Sequence, residues 1–286
     1  MLKPQSFLRF SSSKKIVGLT NMPKDLVLVR HGLAEGNQAY LEEKRGNSTL
    51  FSPKFLETHE SLWRLTARGR EQAKAAGEWI KKNVSYFFGT YLCSEYVRAI
   101  ETAAHLDLPH ANWTRNVFLR ERNFGKLSRL SYAERSRRFE AQLKLRERDA
   151  FYWKPPFGES LADVALRVDY ILDQLSDMPL RPSSAIIVTH FHVMQVFRMR
   201  VEMIPQTDFK KELLMGNKSE KLLNASIIHY TRRNPNTKEI EPVYRWKRIV
   251  TPWIKKYSNN PWKEIKYKTF TNEGLAQEIE ESMKST

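Results

Sequence analysis

Arg30 and His31 close a run of four apolar residues, Leu26 to Val29, and are followed by Gly32 and Asn37. An imidazole can act as a nucleophile, and a guanidinium grips phosphate with a planar fork of donors. Gly32 offers close approach of backbone to a ligand, and the Asn37 amide offers one more donor. His190 ends a second apolar run, Ala185 to Val188 with Thr189. Arg98 follows Tyr91-Leu92-Cys93 and falls in the first turn of a predicted helix, a location that favours an anion. Glu121 follows a third short run, Val117 to Leu119. A nucleophile, two guanidiniums, a second imidazole and a carboxyl group are the parts of a phosphoryl-transfer site, provided the strand ends meet at one sheet edge. Spacing permits that convergence without showing it.

The elements that must position these residues follow from periodicity. Short apolar runs predict buried strands at 26–29, 91–93, 117–119 and 185–189, with late strands at 225–231 and 243–250. Between them lie helical patterns. Thr66 is a candidate cap for a helix through Ile80, with Ala73, Ala76, Trp79 and Ile80 on one face. Residues 131–150 read as a basic, ion-paired helix. Pro155-Pro156-Phe157-Gly158 breaks it, and Ser160 with Asp163 makes a capping box for a helix over 161–176. A further helix follows from about 192. Strands separated by helices predict an α/β fold, a three-layer α/β/α sandwich around a mostly parallel sheet. Residues 38–63 read as an excursion over the carboxyl end of the first strand, where α/β sheets place ligands.

In this order, Arg30-His31-Gly32 with Asn37, Leu65-Thr66 through Gly69, Ser94 through Arg98, Leu119-Arg120-Glu121, Gly158-Glu159-Ser160 and Val188-Thr189-His190 resemble the histidine phosphatase superfamily in its phosphoglycerate mutase-like branch. The stretches Arg120 to Gly125 and Pro156 to Ser160 resemble broad-specificity acid phosphatases. The resemblance covers about residues 25–250. It implies catalytic roles for His31, Glu121 and His190: His31 becomes phosphohistidine, and Glu121 protonates the leaving oxygen and then activates water. It implies phosphate binding by Arg30, Arg98, His190 and Asn37, with no metal and no cofactor. Two other readings stay open: a mutase-type phosphotransferase, and a non-catalytic phospholigand-binding scaffold on the same fold. The absence of a Trp-Asn continuation within 38–63 favours a phosphatase. Rivals lack their motifs, since Cys93 stands too close to Arg98 for a cysteine-phosphatase loop and no phosphate-binding Gly-Lys-Ser/Thr loop occurs. His190-Phe191-His192 has the form of a metal pair, without a cluster of further ligands beside it.

Composition sets the bounds. The 286 residues carry 48 Lys and Arg against 32 Asp and Glu, a net charge of +16 spread along the chain rather than gathered in one arm. Such a balance suits anionic small molecules, with no specific nucleic-acid partner expected. Residues 1–24 are basic and free of acids, the composition of a mitochondrial targeting segment or of a disordered tail. A single cysteine fits a reducing, intracellular compartment, the cytoplasm before the mitochondrion. No apolar run approaches the ~18–20 residues of a membrane span. Residues 251–286 read as a basic, aromatic extension in which lysines interleave with Trp253, Tyr257, Trp262, Tyr267 and Phe270 over 252–270. Either these rings pack on the domain, or they support weak binding to an anionic membrane. The oligomeric state is not legible.

Overall fold

Alternate residues of strand β1 (Asp25–Arg30) enter different cores: Leu26 and Leu28 join one apolar cluster, Val27 and Val29 another. Successive side chains of a strand point to opposite faces, so a strand covered on both sides carries no polar residue between its ends. The computed structural model describes residues 18–177, 184–209 and 220–284, so the targeting reading lies, for residues 1–17, outside the described residues.

After β1 come α1 (Glu35–Glu43), α2 (Pro53–Glu57), α3 (Ala67–Asn83), β2 (Thr90–Ser94), α4 (Val97–His105) and β3 (Thr114–Asn116). Then follow α5 (Tyr132–Arg148), α6 (Leu161–Ser176), β4 (Ser184–Thr189) and α7 (Phe191–Val201). The chain closes with β5 (Ile227–Thr231), β6 (Trp246–Val250), β7 (Lys263–Glu264) and α8 (Asn272–Lys284). The sheet has the order β3-β2-β4-β1-β5-β6-β7. Its first four strands run parallel to their neighbours, and β5, β6 and β7 each pair antiparallel. Apolar faces of α3 and α4 cover one side, and those of α6 and α7 the other. The three-layer α/β architecture is therefore present.

Register places the chemistry. Val29 lies opposite Val188 and Arg30 opposite Thr189, so His31 and His190 leave the sheet side by side. The His31 N–H donates to Thr189 O at 3.0 Å, which fixes that alignment.

Several elements differ from the sequence reading. The third strand lies earlier, at Thr114–Asn116, while Val117–Leu119 forms a 3₁₀ turn. The cause is local: the Asn116 side chain accepts from Phe118 N at 2.9 Å and caps the turn, which delivers Leu119 into the core. The excursion over 38–63 contains α1 and α2, and α5 is interrupted at Phe139, whose backbone leaves the helical region.

Residues 251–267 are built onto the domain. β7 extends the sheet, Ile265 is buried, and Tyr267 Oη donates to Tyr244 O at 2.7 Å. Trp253 Nε1 donates to Asn224 O at 2.7 Å, and the Trp262 ring packs on His229 and under the Arg248 guanidinium. These rings are spent on the fold, so the membrane expectation keeps only the lysine charges and the half-exposed Phe270. Among the described residues no helix is long and apolar enough to cross a membrane.

Candidate active site

His31 is 2 % exposed. Its Nδ1 meets Gly32 O at 2.8 Å; a carbonyl can only accept, so the proton sits on Nδ1 and the lone pair on Nε2. Burial, followed by the charges of Arg98, His190 and Arg30, holds its pKa well below the usual histidine value, and the ring is neutral. A neutral imidazole with a fixed tautomer is a competent nucleophile.

Gly32 serves a purpose other than the one its position in the sequence suggests. A Cβ there would stand 2.3 Å from Gly69 O, and one on Gly69 would stand 2.1 Å from Leu33 O. The two glycines let the first turn of α3 press on the loop that carries His31. Thr102 Oγ1 and Gln72 Oε1 then accept the Gly32 and Leu33 N–H groups, at 3.0 and 2.9 Å.

Three groups surround His31. Arg98, in the first turn of α4, sends Nε to His31 Nε2 at 3.3 Å and one Nη to Glu60 O at 2.6 Å. Burial lowers its pKa against the opposing charges of Glu121 and Glu60. Arg30 donates to Leu222 O at 2.7 Å and stacks 5.1 Å over Phe191, while its Nε is buried without a partner. Burial takes Arg30 down to about 10, opposed by Glu121 and assisted by Arg98. The His190 ring lies 5.1 Å from that of His31, its Nε2 is 2.7 Å from Ser94 Oγ, and its Nδ1 has no partner. Ser94 Oγ also accepts from the Tyr96 N–H at 3.3 Å and keeps one donor and one lone pair for His190 Nε2. Burial and then Arg98 keep His190 neutral.

Glu121 is positioned by α6. Arg167 donates to Phe118 O and Arg120 O, Glu159 pairs with Arg120 and Arg167, and Arg122 Nε donates to Glu159 O at 2.7 Å. Thr189 Oγ1 reaches Leu119 O at 2.8 Å and ties the same turn to the end of β4. Gly125, at φ +51°, completes the loop where a Cβ would meet Pro156 O at 2.1 Å. Burial pushes the Glu121 carboxyl up, but His192, His190 and the Arg122 N–H outweigh it, and the group is held well below the ordinary carboxylate range.

Arg30, His31, Asn37, Arg98 and Glu121 line one cleft of about 320 Å³, and His190 stands behind it against the His31 ring. Asn37 Oδ1 is taken by Ala34 N–H and Asn224 Nδ2, so its N–H donors are the end offered to the cleft. The sequence reading missed Glu60, Ser94 as the anchor of His190, and the outer wall. That wall alternates guanidiniums with rings: Arg135 against Tyr40 and Phe124, and Arg122 between Phe124 and Trp153. Only the cluster of arginines in 131–150 hinted at it. The two histidines of His190-Phe191-His192 diverge, one to Ser94 and the other to Glu121. Among the described residues no three His, Cys, Asp or Glu side chains group as a metal site.

Comparison with known proteins gives the family and the fold. The family model for the histidine phosphatase superfamily (branch 1) matches residues 26–239. A 2,3-bisphosphoglycerate-dependent phosphoglycerate mutase from Brucella melitensis is 31% identical over 210 residues, covering 68% of this chain and 90% of that one. The α-ribazole phosphatase of Shigella flexneri shares the fold with a TM-score of 0.57 at 21% identity, covering 77% and 95% of the two chains. A mycobacterial glucosyl-3-phosphoglycerate phosphatase aligns with a TM-score of 0.55 at 24% identity, covering 73% and 92%.

Proposed function

The chain belongs to the histidine phosphatase superfamily, and from that premise we propose a phosphomonoesterase that works through a phosphohistidine on His31. One observation carries the reading: the proton of His31 is fixed on Nδ1 by Gly32 O, which leaves Nε2 as a lone pair among buried cations. Nε2 attacks phosphorus in line with the leaving oxygen. Arg30, Arg98 and His190 hold the equatorial oxygens, and preorganised donors of this kind usually supply the largest share of catalysis. Asn37 adds a donor. Glu121 carries the proton to the leaving oxygen and afterwards takes one from the attacking water. The arginines supply the positive field, so the reaction proceeds without metal. The cleft is much larger than a phosphate group, which supports a phosphorylated small molecule as substrate.

A mutase-type transfer is the second reading, favoured by the 31% identity to a phosphoglycerate mutase. The two part at the phosphohistidine, which water consumes in one case and a second substrate molecule in the other. Incubation with several phosphomonoesters in the presence of a chelator tests them. Free phosphate release with little interconversion of 2- and 3-phosphoglycerate is expected. Interconversion faster than hydrolysis would establish the mutase, and loss of all turnover on chelation would overturn the metal-free mechanism.

A further inference from the structure

Glu121 faces a problem of proton supply. Oε1 accepts the Arg122 N–H at 2.9 Å, and the carboxyl is held well below the ordinary carboxylate range, yet a carboxylate has no proton to give a leaving alcohol. The second oxygen, Oε2, faces His192 Nδ1 at 3.5 Å. That distance is an ion-pair separation, with no other acceptor placed against this nitrogen.

The His192 ring is held for this encounter. Phe124 lies 5.2 Å away at 65° and Phe191 5.1 Å away at 88°, so aromatic edges and faces hem the imidazole. Its Nδ1 is buried with no hydrogen-bond partner. The carboxylate is the acceptor that this nitrogen faces. His192 also lines the cleft, two residues beyond His190 on the first turn of α7, and so belongs to a different side of that turn. Around the pair stand Arg30, Arg98, Arg122, Arg167, His190, Glu60 and Tyr96. The four guanidiniums keep their protons near neutral pH. His190 is kept neutral, and burial raises the pKa of the Glu60 carboxyl and of the Tyr96 phenol. Among these groups His192 is the one whose ring nitrogen faces the Glu121 carboxylate without another partner.

We propose that His192 is a positioning residue that relays the catalytic proton, loading Glu121 before the leaving group departs and unloading it after water attacks. This rests on the reading of Glu121 as the proton carrier of a phosphohistidine enzyme. In the first half-reaction, His31 Nε2 forms the N–P bond as the P–O bond to the alcohol breaks. His192, entering as the imidazolium, passes its Nδ1 proton to Glu121 Oε2. The bonding pair leaves on the alcohol oxygen, which takes that proton from the carboxyl, so that Glu121 ends as the carboxylate and His192 as the neutral ring. In the second half-reaction, water oxygen bonds to phosphorus as the N–P bond breaks and its pair returns to Nε2. The proton released by water passes to Glu121 and on to His192 Nδ1. Over the cycle the relay is restored, and one ester and one water become one alcohol and one phosphate.

The test uses the full chain, with p-nitrophenyl phosphate as an ester whose leaving group needs little protonation and glycerol phosphate as one that needs it. His192→Asn keeps an N–H donor toward Glu121 but cannot release its proton. kcat/KM for glycerol phosphate is expected to fall about 10- to 100-fold more than for p-nitrophenyl phosphate, within the range of general acid catalysis. The alkaline limb of the glycerol phosphate profile is expected to move to lower pH. His192→Gln, measured in parallel with circular dichroism, repeats the test should the Asn variant fold poorly. An unchanged ester ratio and pH profile in a folded variant overturns the relay. If Glu121→Gln changes the ratio while both His192 variants leave it alone, the relay falls and the carboxyl's own role stands. If Glu121→Gln also leaves the ratio alone, the relay and the reading beneath it fall together.

Discussion

Two buried clusters of charge lie in this molecule and are built on opposite plans. Where β6 and β7 meet α7, Arg198 pairs with Glu202 at 3.0 Å and Glu220 at 2.7 Å, Lys247 pairs with both carboxylates, and Lys263 reaches Glu220 at 2.7 Å. Tyr230 Oη also donates to Glu202. Every cation there has an anion. Burial pushes these carboxyls up, yet the surrounding cations win and bring Glu220 down to about 2. In the cleft, Arg30 and Arg98 lean instead on backbone carbonyls and on the faces of Phe191 and Tyr96. Arg30 Nε, His190 Nδ1 and His192 Nδ1 are left without partners. Buried polar groups are usually satisfied, and charges without counter-charges cost stability. The first cluster spends its charge on holding the carboxyl-terminal strands to the sheet. The second sets its cations near Glu121 and Glu60 without pairing them directly, which leaves guanidinium donors for a phosphate.

The sharpest way to break this contrast is to remove one partner from each cluster. Glu202→Gln strips Arg198 and Lys247 of a shared anion, and breaking a buried pair costs about 3–5 kcal/mol. Urea unfolding is expected to show that loss, while the protein that remains folded hydrolyses p-nitrophenyl phosphate at close to the normal rate. Arg98→Met should do the reverse. It removes a donor from the transferring phosphoryl group, an effect of about 10²–10³ in kcat, and leaves stability unchanged or raised. A loss of stability in Arg98→Met comparable to that in Glu202→Gln would erase the distinction.

Acid separates the clusters by pH. His31 and His190 have folded pKa values well below 6.5, so on acidification the unfolded chain binds protons that the native protein refuses. Stability therefore declines once pH falls through ~6.5, by about 1.4 kcal/mol per pH unit for each such histidine. The Glu220 contribution is present above the unfolded glutamate value of ~4.3 and is lost as pH falls toward about 2. Unfolding midpoints between pH 8 and 3 should show two declines, and His31→Ala should flatten only the upper one. The same variant should lose turnover entirely and form no acid-labile phosphoenzyme. A single decline confined below pH 4.5 would mean that the cleft histidines are not held neutral.

Smaller effects sharpen the picture at the loop itself. Gly69→Ala forces a Cβ toward Leu33 O, and overpacking of this kind costs about 1–3 kcal/mol. Activity should fall with it, because the displaced loop carries His31. Asn37→Ala removes a cleft donor together with the Oδ1 that accepts from Ala34 N–H and Asn224 Nδ2, so a small loss of stability is expected. KM for p-nitrophenyl phosphate should rise a few-fold with kcat nearly unchanged, the pattern of lost uniform binding. A fall in kcat instead would move Asn37 into the transition state.

Much of the frame was legible in the chain, because it rests on local periodicity. The runs at 26–29 and 185–188 have no polar residue because both of their faces are covered, and Ser160 with Asp163 announces α6 through a cap made within four residues. Motifs in a fixed order pointed to His31, Arg30, Arg98, His190 and Glu121, and the structure brings these residues together. Other features depend on partners far away in sequence, and no local pattern encodes them. Val117–Leu119 is apolar enough for a strand but is drawn into a turn by the Asn116 cap and by Thr189, seventy residues on. Gly32 is small because Gly69 lies against it, and the tryptophans of the last forty residues face a sheet that only the whole chain builds. Residue types alone thus determined which groups could perform the chemistry. Their charge states were decided by the tertiary structure, since burial and distance set the field at each titrating atom: His31 is neutral inside a ring of cations, and Glu121 is ionised beside His192.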